Sequence, residues 1–153
     1  MIKAKVWLAA GALVVSGSTF AQGLAPAKPE DAQRYRASIM FVMSQHFGVL
    51  AAMARGDRPY EQSVAVANAT QVDNLLKMPW NAFQVPGSDK VKTTAKPEVM
   101  TEKDKFMVGA TRVQEETAKL VVAAQSGDLG QLKTQFGAVG GQCKNCHDAY
   151  RTK

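Results

Sequence analysis

Apolar residues recur along this chain at spacings of three and four, the period of a helix with one buried face, and strand signals are absent. The first stripe runs through Tyr35, Ile39, Val42, Met43, Phe47, Leu50, Met53 and Ala54. Pro29 followed by Glu30 and Asp31 marks its start, because proline suits a first helical turn and acids favour the positive end of the helix dipole. Arg55-Gly56 closes it. Asp57 and Pro59 open a second helix, in which Val64, Val66, Ala67, Val72, Leu75 and Leu76 can face a core before Met78-Pro79 stops it.

Residues 79 to 100 hold three prolines, one glycine and no helical period, which predicts a long crossover loop. Such loops are uncommon unless functional, and Trp80 and Phe83 give this one large apolar groups to pack. Thr101 and Asp104 resemble a capping box that opens a third helix through Phe106, Val113, Leu120 and Val121 to a stop at Gly127. Asp128 caps a fourth, which runs to the basic end Arg151-Thr152-Lys153. Four helices of about 20 to 27 residues, two short turns and one long connection between helices two and three describe an all-α, antiparallel four-helix bundle.

The first 21 residues read as an export signal. Lys3 and Lys5 precede the apolar run Val6 to Val15, which is too short to span a bilayer as a helix, and Ser16 to Ala21 ends in small residues suited to cleavage. A short membrane anchor is the competing reading. Cleavage after Ala21 leaves residues 22–153, one compact domain, and loss of two lysines lowers the formal charge from +6 to +4. The remaining basic residues are scattered among acids, with no basic stripe of the kind that binds nucleic acid.

Export places the two cysteines in an oxidising compartment, where a disulfide is the ordinary expectation. Their setting points elsewhere. Cys143-Lys144-Asn145-Cys146-His147 is Cys-x-x-Cys-His, the pattern of covalent haem attachment. On a helix, positions i, i+3 and i+4 share a face, so two sulfurs and one imidazole meet one edge of a planar group. The sulfurs would form thioethers with the vinyl groups of one haem c, and His147 would ligate the iron. Gly140 and Gly141 interrupt the same helix one turn earlier, which makes sense if the backbone there approaches the macrocycle. Against this stand a thioredoxin-like pair, which wants a strand-to-helix context, a zinc site, for which only His46 remains as a further ligand, and a disulfide across one turn, which would constrain little.

These residues resemble the cytochromes c prime, the class II c-type cytochromes. The resemblance runs through Lys28 to Ala32, Tyr35-Arg36 with Ser38, Ser44 with His46-Phe47-Gly48, Pro59-Tyr60, Leu76 with Pro79-Trp80 and Phe83, Pro97-Glu98, and Cys143-Lys144 with Cys146 through Arg151. It implies a four-helix bundle, frequently dimeric, in a periplasm. It further implies a five-coordinate high-spin iron, closed on its distal side by an apolar side chain, which binds nitric oxide or carbon monoxide. Position by position it sets Arg36 beside a haem propionate, Met40 at the distal position, Thr94 at the haem edge, and Arg151 on the proximal side, where its charge keeps His147 neutral. Ala37 stands where the family often has glutamine, which removes a propionate hydrogen bond.

Met40 leaves two functions open. As a bulky apolar filler it leaves room for small gases, whereas as a sixth iron ligand it makes a low-spin electron carrier that works through a redox partner protein. Met43, rotated about 60° from Met40, is a core residue first and a ligand only in place of Met40, and His46, about 120° away, is a surface or interface histidine. No distal acid-base pair of the peroxidase kind is present, so the chain is not expected to be an enzyme.

Overall fold

The computed structural model describes residues 26–152, and the expected export signal lies outside them. The element order is α1 (Pro29–Arg55), α2 (Gln62–Leu75), a 3-10 turn (Trp80–Phe83), α3 (Glu98–Thr101), α4 (Lys103–Gln125) and α5 (Leu129–Tyr150). No strand occurs among the described residues beyond one isolated bridge between Ala95 and Arg151. Tyr60 and Gln62 at the start of α2 reach Ala124 and Gln125 at the end of α4, and Gln135 and Tyr150 of α5 reach back to Glu116 and Glu102. Neighbouring long helices therefore run antiparallel, as the bundle reading requires.

α1 has the predicted bounds. Pro29 occupies its first turn with Glu30 and Asp31, and Gly56 takes φ 83° just past its end. There the Gly56 N–H donates to Met53 and the Asp57 N–H to Ala52, a Schellman closure in which the carbonyls of the last turn find donors. α2 starts later than expected and is only 14 residues long. Pro59 pushes Arg58 away from helical geometry, and the Asp57 carboxylate is taken by Arg55 Nε at 2.7 Å instead of capping a new turn.

The long loop is less irregular than its composition predicts, since it contains the 3-10 turn and the short α3. Thr101 belongs to the end of α3, and Glu102, at φ −109° and ψ 40°, is where the chain breaks before α4. The Thr101 and Asp104 capping box is therefore not formed. Asp128 does cap α5, accepting from the Gly130 and Gln131 N–H groups. α5 ends at Tyr150, not at Lys153, because Arg151 turns extended to pair with Ala95.

The core is filled by Leu50 and Met53 of α1, Ala65, Ala69 and Val72 of α2, Phe106, Val113 and Leu120 of α4, and Leu132, Val139 and Tyr150 of α5. Two expected core positions face out instead, Val42 of α1 and Ala67 of α2. Across α2 and α4, buried Asp73 accepts from Thr117 Oγ1 at 2.9 Å and pairs with Lys77, so its carboxylate is not orphaned. α4 packs closely on α5, while α1 and α5 touch much less, which leaves their facing sides for the site.

Candidate cofactor site

α5 carries Cys143, Cys146 and His147 on adjacent turns of one face. The two thiols are half-buried against the core and are not bonded to each other. Burial pushes both up from the ordinary thiol range, and at Cys146 the neighbouring Cys143 adds to it, the opposite of an activated redox thiolate. His147 stays exposed on its outer side. Partial desolvation holds its imidazole below the ordinary range, and the Arg151 charge adds to that, against a smaller opposing effect of Asp148. The ring is thus kept in the neutral form that ligates a metal.

What faces this motif follows from one contact. Phe47 of α1 stacks on Phe136 of α5, with ring centroids 4.3 Å apart. The two helices are antiparallel, and Met40 lies seven residues before Phe47 while Cys143 lies seven after Phe136. Each step is a rise of about 10.5 Å, so Met40 stands level with Cys143. Met40 and Met43 are half-buried and packed on the core from this side. His46 is turned away, with Nδ1 2.9 Å from Asn68 Oδ1 on α2. Asn68 donates its own amide to Val64, which leaves Oδ1 to accept from the imidazole.

Arg36, one turn before Met40, is buried at 4 % exposure. Its guanidinium donates to Ala82 O at 3.1 Å, Ser88 O at 2.7 Å and Thr93 Oγ1 at 3.2 Å, and lies 4.9 Å from the Phe83 ring centroid. Desolvation lowers its pKa, against the nearby charge of Asp89. Three of its five N–H groups are used in this way, and two remain. Thr93, not Thr94, is the loop hydroxyl that reaches Arg36. Thr94 is exposed, and its carbonyl accepts from the Thr152 N–H at 2.8 Å. With the Ala95–Arg151 bridge and Lys96 Nζ on the carbonyls of Asp148 and Ala149, this ties the loop to the end of α5. Arg151 is therefore beyond the helix, although its N–H still donates to His147 O. Ala37 is exposed.

Trp80 is buried and Phe83 half-buried, and both pack on Phe106, whose ring meets Tyr150 edge-on at 5.2 Å. The signal for Tyr150 was present in the sequence as an aromatic one turn past Cys146, but its partner Glu102 comes from a different helix. A Cβ added at Gly140 or Gly141 would meet nothing within 4 Å among the protein atoms, so neither glycine is required by helix packing.

Two thiols and an imidazole at helical spacing on α5, on a level with Met40 and the buried Arg36 of α1, fit a covalently held haem. No cluster of three or more His, Cys, Asp or Glu side chains suited to a metal ion occurs among the described residues. Two open surface depressions, beside Val122 and Thr134 and beside His46 and Thr70, lie away from the motif.

Comparison with known proteins agrees with this chemistry. Residues 31–151 match the family model described as cytochrome c′. A cytochrome c′ of Alcaligenes xylosoxydans xylosoxydans is 40% identical over 127 residues, covering 83% of this chain and 98% of the relative. One from Rubrivivax gelatinosus is 41% identical over 127 residues, 82% of this chain and 98% of the relative. Among solved structures, a nitric oxide complex of a point variant of the Alcaligenes xylosoxidans cytochrome superposes with a TM-score of 0.78 at 40% identity, covering 84% of this chain and 98% of that one. The Rubrivivax gelatinosus structure also gives 0.78, at 40% identity, 82% and 98%.

Proposed function

This chain belongs to the cytochrome c′ family, and on that premise we propose that its iron is five-coordinate and high-spin, binds nitric oxide or carbon monoxide, and exchanges single electrons with a partner protein. The family carries one covalent haem c, held here through Cys143 and Cys146, and the bound haem supplies the redox change and the open coordination site.

The observation that carries the reading is Cys143, Cys146 and His147 on one face of α5 in a chain 40% identical to a cytochrome c′ whose nitric oxide complexes are solved. His147, whose imidazole desolvation and Arg151 favour in the neutral form, would be the protein's ligand to the iron. Met40 and Met43 would crowd the opposite side as flexible apolar groups that can give way to a diatomic gas. The two unused N–H groups of Arg36 would be available to a haem propionate, with Thr93, which already reaches Arg36, the loop hydroxyl in place of Thr94. Arg151, on the strap that joins the loop to α5, guards the proximal side.

The chain acts in a periplasm, as the export signal read in residues 1–21 supports. Phe41 and Val42 leave 66% and 43% of their surface exposed on α1, which supports a homodimer formed through that helix. The nitric oxide complexes of the Alcaligenes relative support the choice of gas.

Titration of the reduced, haem-loaded protein with nitric oxide tests the reading. A stoichiometric nitrosyl adduct is expected, together with loss of the native spectrum in His147→Ala. A reduced iron that nitric oxide leaves unchanged contradicts it.

A further inference from the structure

Tyr150 occupies an unusual position for an aromatic residue in this bundle. It lies one turn past Cys146 on the helix that holds the haem, is only 8% exposed, and packs edge-on against Phe106. Its hydroxyl donates to Glu102 Oε2 at 3.1 Å. Glu102 faces solvent and pairs with Lys105 at 3.0 Å, so its carboxyl is an anion whose Oε2 is placed to receive the phenolic proton.

The other ring donors packed on this core lack that feature. Tyr60 donates to the Ala124 carbonyl and Trp80 Nε1 to the Leu76 carbonyl, neither of which takes up a proton. Losing an electron from a phenol makes its O–H strongly acidic, so oxidation is easy only where a base receives the proton in the same event. Tyr150 is the aromatic residue that combines closeness to the haem attachment with such a base.

We propose that Tyr150 is a redox-active relay, oxidised through the haem when the protein meets hydrogen peroxide, with Glu102 as its proton acceptor. The inference rests on the haem reading above. Peroxide takes two electrons, first from the haem group, and two protons from solvent as its O–O bond breaks to give two waters. Tyr150 returns one of the electrons. Its phenolic proton passes to Glu102 Oε2, and a neutral phenoxyl radical remains. A one-electron reductant in solution, of the ascorbate class, supplies the second electron and later reduces the phenoxyl, at which point Glu102 gives back its proton. The reductant releases one proton to solvent with each electron it gives. Oxidising equivalents thereby leave at the exposed Glu102 side and spare Met40 and Met43, whose thioethers would otherwise be oxidised to sulfoxides.

The test uses the haem-loaded protein mixed with hydrogen peroxide and frozen at intervals for electron paramagnetic resonance, with methionine sulfoxide read by mass spectrometry. A tyrosyl signal is expected that ring-deuterated tyrosine narrows, that Tyr150→Phe abolishes and that Tyr60→Phe retains. Glu102→Gln should slow its appearance about tenfold or more, as loss of a positioned base does. Tyr150→Phe should also raise sulfoxide at Met40 and Met43. Tyr150→Phe keeps the ring that packs on Phe106, and Glu102→Gln leaves that packing untouched, so folding does not confound either variant. A radical that survives Tyr150→Phe, a tryptophan-type signal, or no organic radical while peroxide shifts the Soret band overturns the proposal. A Soret band that peroxide leaves unmoved overturns it as well. A protein that matures without any Soret band fails at the haem reading itself, and the relay falls with it.

Discussion

Phe47 and Phe136 stack at 4.3 Å between ring centroids, and that contact sets the register that brings Met40 opposite Cys143. Both rings are half-buried, so Phe136→Ala should lower stability by about 2 kcal/mol, less than a fully buried phenylalanine costs. Chemical denaturation checks it. Phe136→Leu, which keeps most of the apolar volume, should lose less than half as much.

Arg36 holds the crossover loop from inside. Removing it leaves the Ser88 carbonyl without its donor and the Ala82 carbonyl with only the Ser88 hydroxyl at 3.4 Å, so Arg36→Met should cost about 2 kcal/mol or more. Arg36→Lys should recover little, because one ammonium cannot reach acceptors that a planar fork spans. Thermal melts of the three proteins, with limited proteolysis in the segment 84–96, give the comparison.

A buried carboxylate joins α2 to α4. Thr117→Val preserves shape but leaves Asp73 Oδ1 unpartnered at a buried site, for an expected loss of about 1–3 kcal/mol. The double variant Asp73→Asn with Thr117→Val should fall short of the sum of the singles, and a double-mutant cycle measures the difference.

Asp128 makes stability depend on pH at the start of α5. The Gln131 and Gly130 N–H groups hold its carboxyl below the ordinary range, so its folded pKa is the lower one. The contribution is therefore complete above about pH 4, the unfolded value, and is lost as pH falls through the folded value. Asp128→Ala should melt about 3 °C lower at neutral pH. The gap between the two proteins should close in acid. A gap that grows on acidification contradicts the sign.

The parts of this fold legible in the sequence are those decided locally. Pro29 and Gly56 act on their own backbone, so the bounds of α1 follow from residues within a turn of them. The spacing of Cys143, Cys146 and His147 is likewise a property of one helix. Where the outcome depends on distant partners, the pattern was silent. Arg36 finds its acceptors 46, 52 and 57 positions away, and nothing near Thr93 marks it over Thr94. The apparent cap at Thr101 failed because α3 claims that residue, a short helix with no periodicity to reveal it. Tyr150 was visible as an aromatic residue, but its pairing with Glu102 depends on how α4 and α5 pack.

Whether the iron has an open side is read from the absorption spectrum of the reduced protein, taken with and without Met40→Leu. A five-coordinate iron gives a high-spin reduced spectrum that Met40→Leu leaves high-spin. A sharp low-spin spectrum in the parent protein, converted to high-spin by Met40→Leu, would make Met40 the sixth ligand and rule out an open iron.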